Sequence, residues 1–139
     1  MNFEYAVTPF LAWLIAGTIK FSINSIKSGR LAFGQIGYGG LPSNHSAIVS
    51  SAAALVAFRE GINEPAFGIA IALAFVVILD ANSLRKQVGL HAEAINRLNS
   101  ETRKKPLRER MGHTRIEILA GTLVGICTAW IVNIYCVFM

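Results

Sequence analysis

Two short strings carry residues that could do chemistry: Pro42-Ser43-Asn44-His45 and His113-Thr114-Arg115-Ile116-Glu117. Each sets a histidine at the start of an apolar segment, and they use two of the chain's three histidines. His113 and Glu117 stand at i and i+4, on one face of a helix. A carboxylate so placed can hold one imidazole nitrogen and leave the other free to attack. Ser43, Asn44 and His45 fall near the start of a second helix, with Pro42 expected in its first turn, where free N–H groups favour anions. His45 has no such carboxylate, which suits a proton donor. Lys20 and Lys27 are seven residues apart, within about 20° of one helical face and about 10 Å along it. Asp80 and Arg85 close another apolar segment. Nucleophile, orienting carboxylate, proton donor and cations are what phosphoryl transfer without a metal needs.

The elements that must position these groups are those of a membrane protein. The chain has 139 residues, enough for one domain spanning 1–139. It is 53% hydrophobic and only 15% charged, with mean hydropathy +0.49; soluble domains carry about 25% charged residues. Four apolar segments approach the ~20 residues a bilayer requires: about 6–26, 41–58, 65–79 and 113–139. The second is rich in small residues (Ser50, Ser51, Ala52, Ala53, Ala54), which suits close helix packing. Glu4 before the first segment, with no small-residue cleavage site after it, argues against a removable signal peptide. Cys127 and Cys136 are about 13 Å apart along one helix and read as apolar filler.

The connections differ in character. Residues 28–40 form a glycine-rich loop, with Gly29, Gly34, Gly37, Gly39 and Gly40; residues 59–64 form a short one. Residues 82–112 form a long polar connection whose first half is an amphipathic helix: Leu84, Val88, His91, Ile95 and Leu98 repeat at 4-3-4-3 spacing. That helix suits either the membrane interface or a contact with another subunit. Its second half is basic, with Arg103, Lys104, Lys105, Arg108 and Arg110. The basic residues concentrate in the first and third connections, against a lone Arg59 in the second. The positive-inside rule therefore sets those two connections in the cytoplasm and both termini outside. Both histidine strings, both lysines, Asp80 and Arg85 then meet at one membrane face.

Plainer readings stand beside these. A histidine at a helix start is commonly a cap or an interface residue. Lys20 can snorkel to the headgroups, although an intramembrane charge is by default a functional candidate. Asp80 and Arg85 can be a structural ion pair, provided the chain bends after Asp80. His91 reads as a packing residue. The basic stretch reads as a loop drawn to lipid headgroups; residues 97–115 hold no aromatic side chain, so nucleic acid is not an expected partner.

At these residues the chain resembles the type 2 phosphatidic acid phosphatase superfamily, which includes membrane lipid phosphatases and vanadium haloperoxidases. Lys20-x6-Lys27 resembles that superfamily's K-x6-R-P, Pro42-Ser43-Asn44-His45 its P-S-G-H, and His113-x3-Glu117 its H-x3-D, followed by a similar Leu119-Ala120-Gly121 and Gly125. Lys27, Ser28, Asn44 and Glu117 depart from the pattern, and Leu107 stands where an arginine is expected six residues before His113. The pattern is closer to the small divergent bacterial branch, in which a stretch like Asp80 to Asn99, with His91-Ala92 and Asn96 in its tail, contributes as well. The resemblance implies an all-α membrane bundle of about four spanning helices in the bacterial inner membrane. It also implies a lipid-phosphate phosphatase with His113 as nucleophile, Glu117 orienting it and His45 as acid and base. Lys20, Lys27, Ser43 and Arg85 would hold the phosphate, supported by Asp80 and Asn44. No metal or cofactor is implied. Phosphatidylglycerophosphate, phosphatidic acid and isoprenoid diphosphates are the expected substrates; a non-catalytic lipid-phosphate carrier is the alternative. A small bundle encloses a pocket poorly, so a homodimer or higher assembly is expected.

Overall fold

The computed structural model describes residues 3–33, 40–99, 105–109 and 111–138. Gly34, Gly37 and Gly39 of the glycine-rich loop, and Arg103, Lys104 and Arg110 of the basic stretch, lie outside them. The described residues are all-α: α1 Glu4–Ser28, α2 Asn44–Arg59, α3 Pro65–Leu79, α4 Arg85–Leu98 and α5 Arg115–Phe138. A π-helical turn, Asp80–Leu84, joins α3 to α4 without a break.

α2 is the central helix, packed by α1, α3 and α5. Its sequence explains the place. Ser46, Ala47, Ser50, Ser51 and Ala53 are buried, and such small side chains let neighbouring backbones approach closely. α5 uses the approach most fully. A Cβ at Gly121 would collide with the Ser43 backbone, and one at Gly125 with the Ala47 carbonyl. The Ser43 N–H also donates to the Glu117 carbonyl at 2.9 Å. These contacts run in register, so α5 lies parallel to α2. α1 runs the other way: at its start Glu4 pairs with Arg59 at 2.6 Å and Tyr5 donates to Glu60, both at the end of α2. The start of α1 and the end of α5 therefore share one end of the bundle.

Large apolar side chains point outward: Phe10, Trp13, Ile69, Phe75, Leu119, Trp130 and Ile131 are all exposed. Small and hydroxyl side chains fill the interior, the reverse of a soluble core. The buried hydroxyls of Thr8, Ser51 and Thr128 donate to carbonyls of their own helices. Among the described residues, three helices are long and apolar enough to cross a membrane: 4–28, the composite 65–98, and 115–136. The expected fourth, α2, has only 16 residues, about 24 Å, because Ser43 caps it late and Glu60 ends it early.

Three boundaries differ from the sequence reading. Pro42 is not a first-turn residue; it follows a cis peptide, and Ser43 is the N-cap of α2. α5 starts two residues after His113, because Thr114 and Glu117 form a reciprocal capping box: the Glu117 carboxylate accepts the Thr114 N–H at 2.9 Å, and Thr114 Oγ1 accepts the Glu117 N–H at 3.2 Å. The helix does not end at Asp80 but continues through the π turn. Within α4, His91 is exposed rather than packed, and Val88, Ile95 and Leu98, with Leu84 at the end of the π turn, form an exposed apolar stripe with it.

Candidate active site

The two histidines meet at the end of the bundle where α2 and α5 begin. Their ring centroids are 5.9 Å apart. His113 is fixed from three directions. Its backbone N–H donates to the Ala81 carbonyl, in the π turn, at 2.9 Å. The preceding Gly112 has φ 87° and lies against Ala81 and Lys86, a close approach in a backbone conformation that favours glycine. Its ring Nδ1 is 3.2 Å from the Glu117 carboxylate. With Nδ1 donating its proton to Glu117, Nε2 keeps the lone pair. The side chain of His113 is only 7% exposed. Burial lowers its pKa below the ordinary histidine value, Lys20 and Arg85 press in the same direction, and the bond from Glu117 opposes them. A neutral imidazole is the form that can attack.

The π turn also solves the placement of Arg85. Five residues on an α-helix fall about 140° apart. The i→i+5 repeat of a π turn brings Asp80 and Arg85 onto one side, and Arg85 Nε donates to Asp80 Oδ2 at 2.8 Å. Arg85 then lines a pocket of about 280 Å³ with Lys20, Asn44, His45 and His113. Lys20, Arg85 and Arg108 give this pocket its positive charge. His45 Nδ1 and Asn44 Oδ1 are buried with no protein hydrogen-bond partner.

Two expected phosphate ligands stand elsewhere. Ser43 is fully buried, and its Oγ accepts from the Ser46 N–H and the Ser46 hydroxyl, closing the helix cap. Lys27 is exposed, about two turns beyond Lys20, and does not line the pocket. Trp13, Ile48, Met111 and Gly112 also line it and were not singled out from the sequence, and Arg108, read there as part of a headgroup-attracted basic stretch, lines it too. Arg108 arrives on a strap, residues 105–109, that lies along α4. Asn96 grips the strap like a neighbouring strand: its Nδ2 donates to the Leu107 carbonyl and its Oδ1 accepts the Leu107 N–H, both at 2.8 Å. Nδ2 also reaches Glu109. Gly89 permits the contact, since a Cβ there would collide with the Glu109 carbonyl. Asn96, in a tail the resemblance had flagged without a role, was the signal for the strap.

Fold and site together define an all-helical membrane protein with a cation-lined pocket around paired histidines. The chain belongs to the Divergent PAP2 family, whose profile matches residues 2–128. It is 30% identical over 138 residues to the Uncharacterized membrane protein YuiD of Bacillus subtilis (strain 168), an alignment that covers 86% of this chain and 87% of that one. No solved structure matches the chain significantly.

Proposed function

We propose that this protein is a metal-independent phosphatase acting on a lipid phosphate monoester or diphosphate, through a phosphohistidine. One observation carries the reading: His113, held at Nδ1 by Glu117, shares a pocket with His45, Lys20, Arg85 and Arg108. The cations would hold the non-bridging phosphate oxygens, where charge stabilisation dominates phosphoryl transfer. Nε2 of His113 would attack phosphorus, forming the N–P bond as the P–O bond to the lipid breaks. His45 would give its proton to the departing oxygen. A water would then attack the phosphohistidine, with His45 taking the water's proton and His113 leaving as neutral imidazole. Family membership supports phosphatase chemistry of this type.

The basic residues of the strap and of the loop after α1 favour the cytoplasmic face for the site, with both termini outside. Substrates made on that leaflet, phosphatidylglycerophosphate and phosphatidic acid first, fit best; isoprenoid diphosphates fit the same pocket. A second reading is a lipid-phosphate carrier without turnover, favoured by the absence of Ser43 and Lys27 from the pocket. Phosphate release from a panel of lipid phosphates, beside His113→Ala, decides between them. Release lost in His113→Ala supports the phosphatase. Binding without release supports the carrier, and unchanged release in the variant excludes the mechanism.

A further inference from the structure

α3 and α4 are two parts of one rod. The backbone stays α-helical at Leu79, Asp80, Leu84 and Arg85, so the π turn joins the two without a corner. The composite helix Pro65–Leu98 has 34 residues, about 51 Å of length. A hydrocarbon core of about 30 Å that begins at Pro65 ends near Arg85, and the headgroup layer adds only about 6 Å. Ile95 and Leu98 therefore stand in water, beyond the reach of lipid. α4 also shows three distinct faces. Gly89 and Asn96 hold the strap, with Ala92 buried between them. Lys86, Glu93 and Arg97 share a charged face, where Arg97 pairs with Glu93. The third face, about 110° around the helix from the strap, carries Leu84, Val88, His91, Ile95 and Leu98, all exposed. Among the described residues, nothing in the chain covers it.

We infer that this third face is the seam of a parallel two-stranded coiled coil with a second copy of the chain. Its 4-3-4-3 spacing is the heptad repeat, which sets Val88 and Ile95 at the a positions and Leu84, His91 and Leu98 at d. β-branched residues at a with leucine at d favour two parallel strands. Two copies in one membrane share an orientation, so their α4 helices are parallel and level with each other. The flanks of the seam fit a copy of themselves. Gln87 and Ala94 on one side and Ala92 on the other are uncharged, so identical residues meet without repulsion. The charges keep to the outer face. Little more than two heptads would not hold two free helices together, but confinement to one bilayer raises the effective concentration of the partner. His91, polar in the middle of an apolar seam, costs affinity and fixes the register. The strap occupies a different face, so seam and strap are filled together.

Oxidative cross-linking of the full-length protein in lipid vesicles tests the seam. Cys127 and Cys136, both exposed, are first replaced by serine. Single cysteines then go onto α4: Ile95→Cys and Leu98→Cys on the seam, Lys86→Cys and Arg97→Cys on the charged face. The expected result is a disulfide-linked dimer that forms at least tenfold faster from the two seam positions. Energy transfer between labelled copies in the same vesicles measures affinity. Ile95→Lys should weaken association at least tenfold, as should Leu98→Lys in the last turn, should Ile95→Lys fail to fold. Leu90→Lys places the same charge on an exposed residue about 140° from Ile95 and should leave association unchanged. His91→Leu should strengthen it at least threefold. Equal cross-linking at all four positions, or association unmoved by both seam lysines, overturns the inference. A polarity-sensitive dye on Leu98→Cys that reports hydrocarbon without any cross-linking overturns it in favour of a lipid-covered face. None of these readouts depends on turnover, so the seam and the proposed phosphatase stand or fall separately.

Discussion

One oxygen of Glu117 serves both His113 and Thr114: Oε2 lies 3.2 Å from His113 Nδ1 and accepts the Thr114 backbone N–H at 2.9 Å. The carboxylate that would orient the proposed nucleophile is thus also the last member of the cap that starts α5. Orientation and helix initiation are separable by substitution. Gln also completes a capping box, so Glu117→Gln should keep the thermal midpoint within about 2 °C in detergent and lower kcat by about 10²-fold. Glu117→Ala should lose about 1 kcal/mol of stability as well. Equal activity in Glu117→Gln and wild type would remove the carboxylate from the mechanism.

His45 acts twice in the proposed cycle, and its two duties respond differently to the leaving group. His45→Ala should lower turnover of an alkyl phosphate by about 10²- to 10⁴-fold. With p-nitrophenyl phosphate, whose leaving group needs no proton, formation of the phosphoenzyme should survive and its hydrolysis should not. Acid-labile, base-stable label on His113 should then accumulate in the variant. No build-up of label would assign the water activation to another group.

The depressed pKa of His113 sets a pH dependence. In the proposed mechanism the neutral form attacks, and burial with two nearby cations resists protonation. Activity should therefore persist below about pH 6.5, the ordinary histidine value, and fall only as pH approaches the lower folded value. Glu117 pulls that value up, so Glu117→Gln should shift the acid limb to still lower pH. The same shift has a stability consequence. Below about 6.5 the unfolded chain takes up the proton more readily than the folded one, so stability decreases as pH falls toward the folded value. An acid limb above 6.5 in wild type would contradict the burial of this ring.

Asn96 holds the strap at both the Leu107 N–H and the Leu107 carbonyl, which makes it a positioning residue for Arg108. Asn96→Ala releases both bonds to the Leu107 backbone. The expected effect is a KM about tenfold higher, with kcat and thermal midpoint little changed, because the strap lies on α4 rather than inside the bundle. Asn96→Asp keeps the Oδ1 bond to the Leu107 N–H and should recover part of the loss. A KM unmoved by Asn96→Ala would show that the strap keeps its place without this grip.

The contact of α5 with α2 tests the packing. Gly121→Ala and Gly125→Ala each press a methyl group into α2 backbone. Each should destabilise by about 1–3 kcal/mol, read as a lower unfolding midpoint in detergent. Gly68→Ala, with open space around its Cβ position, is the control and should be neutral or slightly stabilising.

Much of this was legible in the residues because it rests on short-range periodicity. His113 and Glu117 are one helical turn apart in any helix that begins there, and hydropathy alone placed α1, α3 and α5. Asn44, Lys20 and Arg85 reach the pocket as the charge and topology reading expected. What was not legible depends on local backbone choices that side-chain patterns leave open. Nothing in Asp80-Ala81-Asn82-Ser83-Leu84 announces a π turn over a bend. Ser43 can cap a helix or face a ligand, and the neighbouring Ser46 hydroxyl decides for the cap. Lys27 shares a face with Lys20, but a shared face does not shorten the 10 Å between them. The strap was hidden because its partner Asn96 is eleven residues from Leu107, beyond any helical spacing.

The π turn carries one further consequence. It holds one residue more than an α-helical turn, so it sets the rotational phase of everything after it relative to α3. Deleting a single residue from Asp80–Leu84 would restore an ordinary helix and swing α4 by about 100°. Arg85 would leave Asp80, the Ala81 carbonyl would turn away from His113, and Asn96 would carry the strap and Arg108 to another side of the bundle. Three separate-looking contributions to the pocket therefore hang on one angular offset. This short stretch of chain should tolerate exchange of its exposed side chains far better than any change in its length.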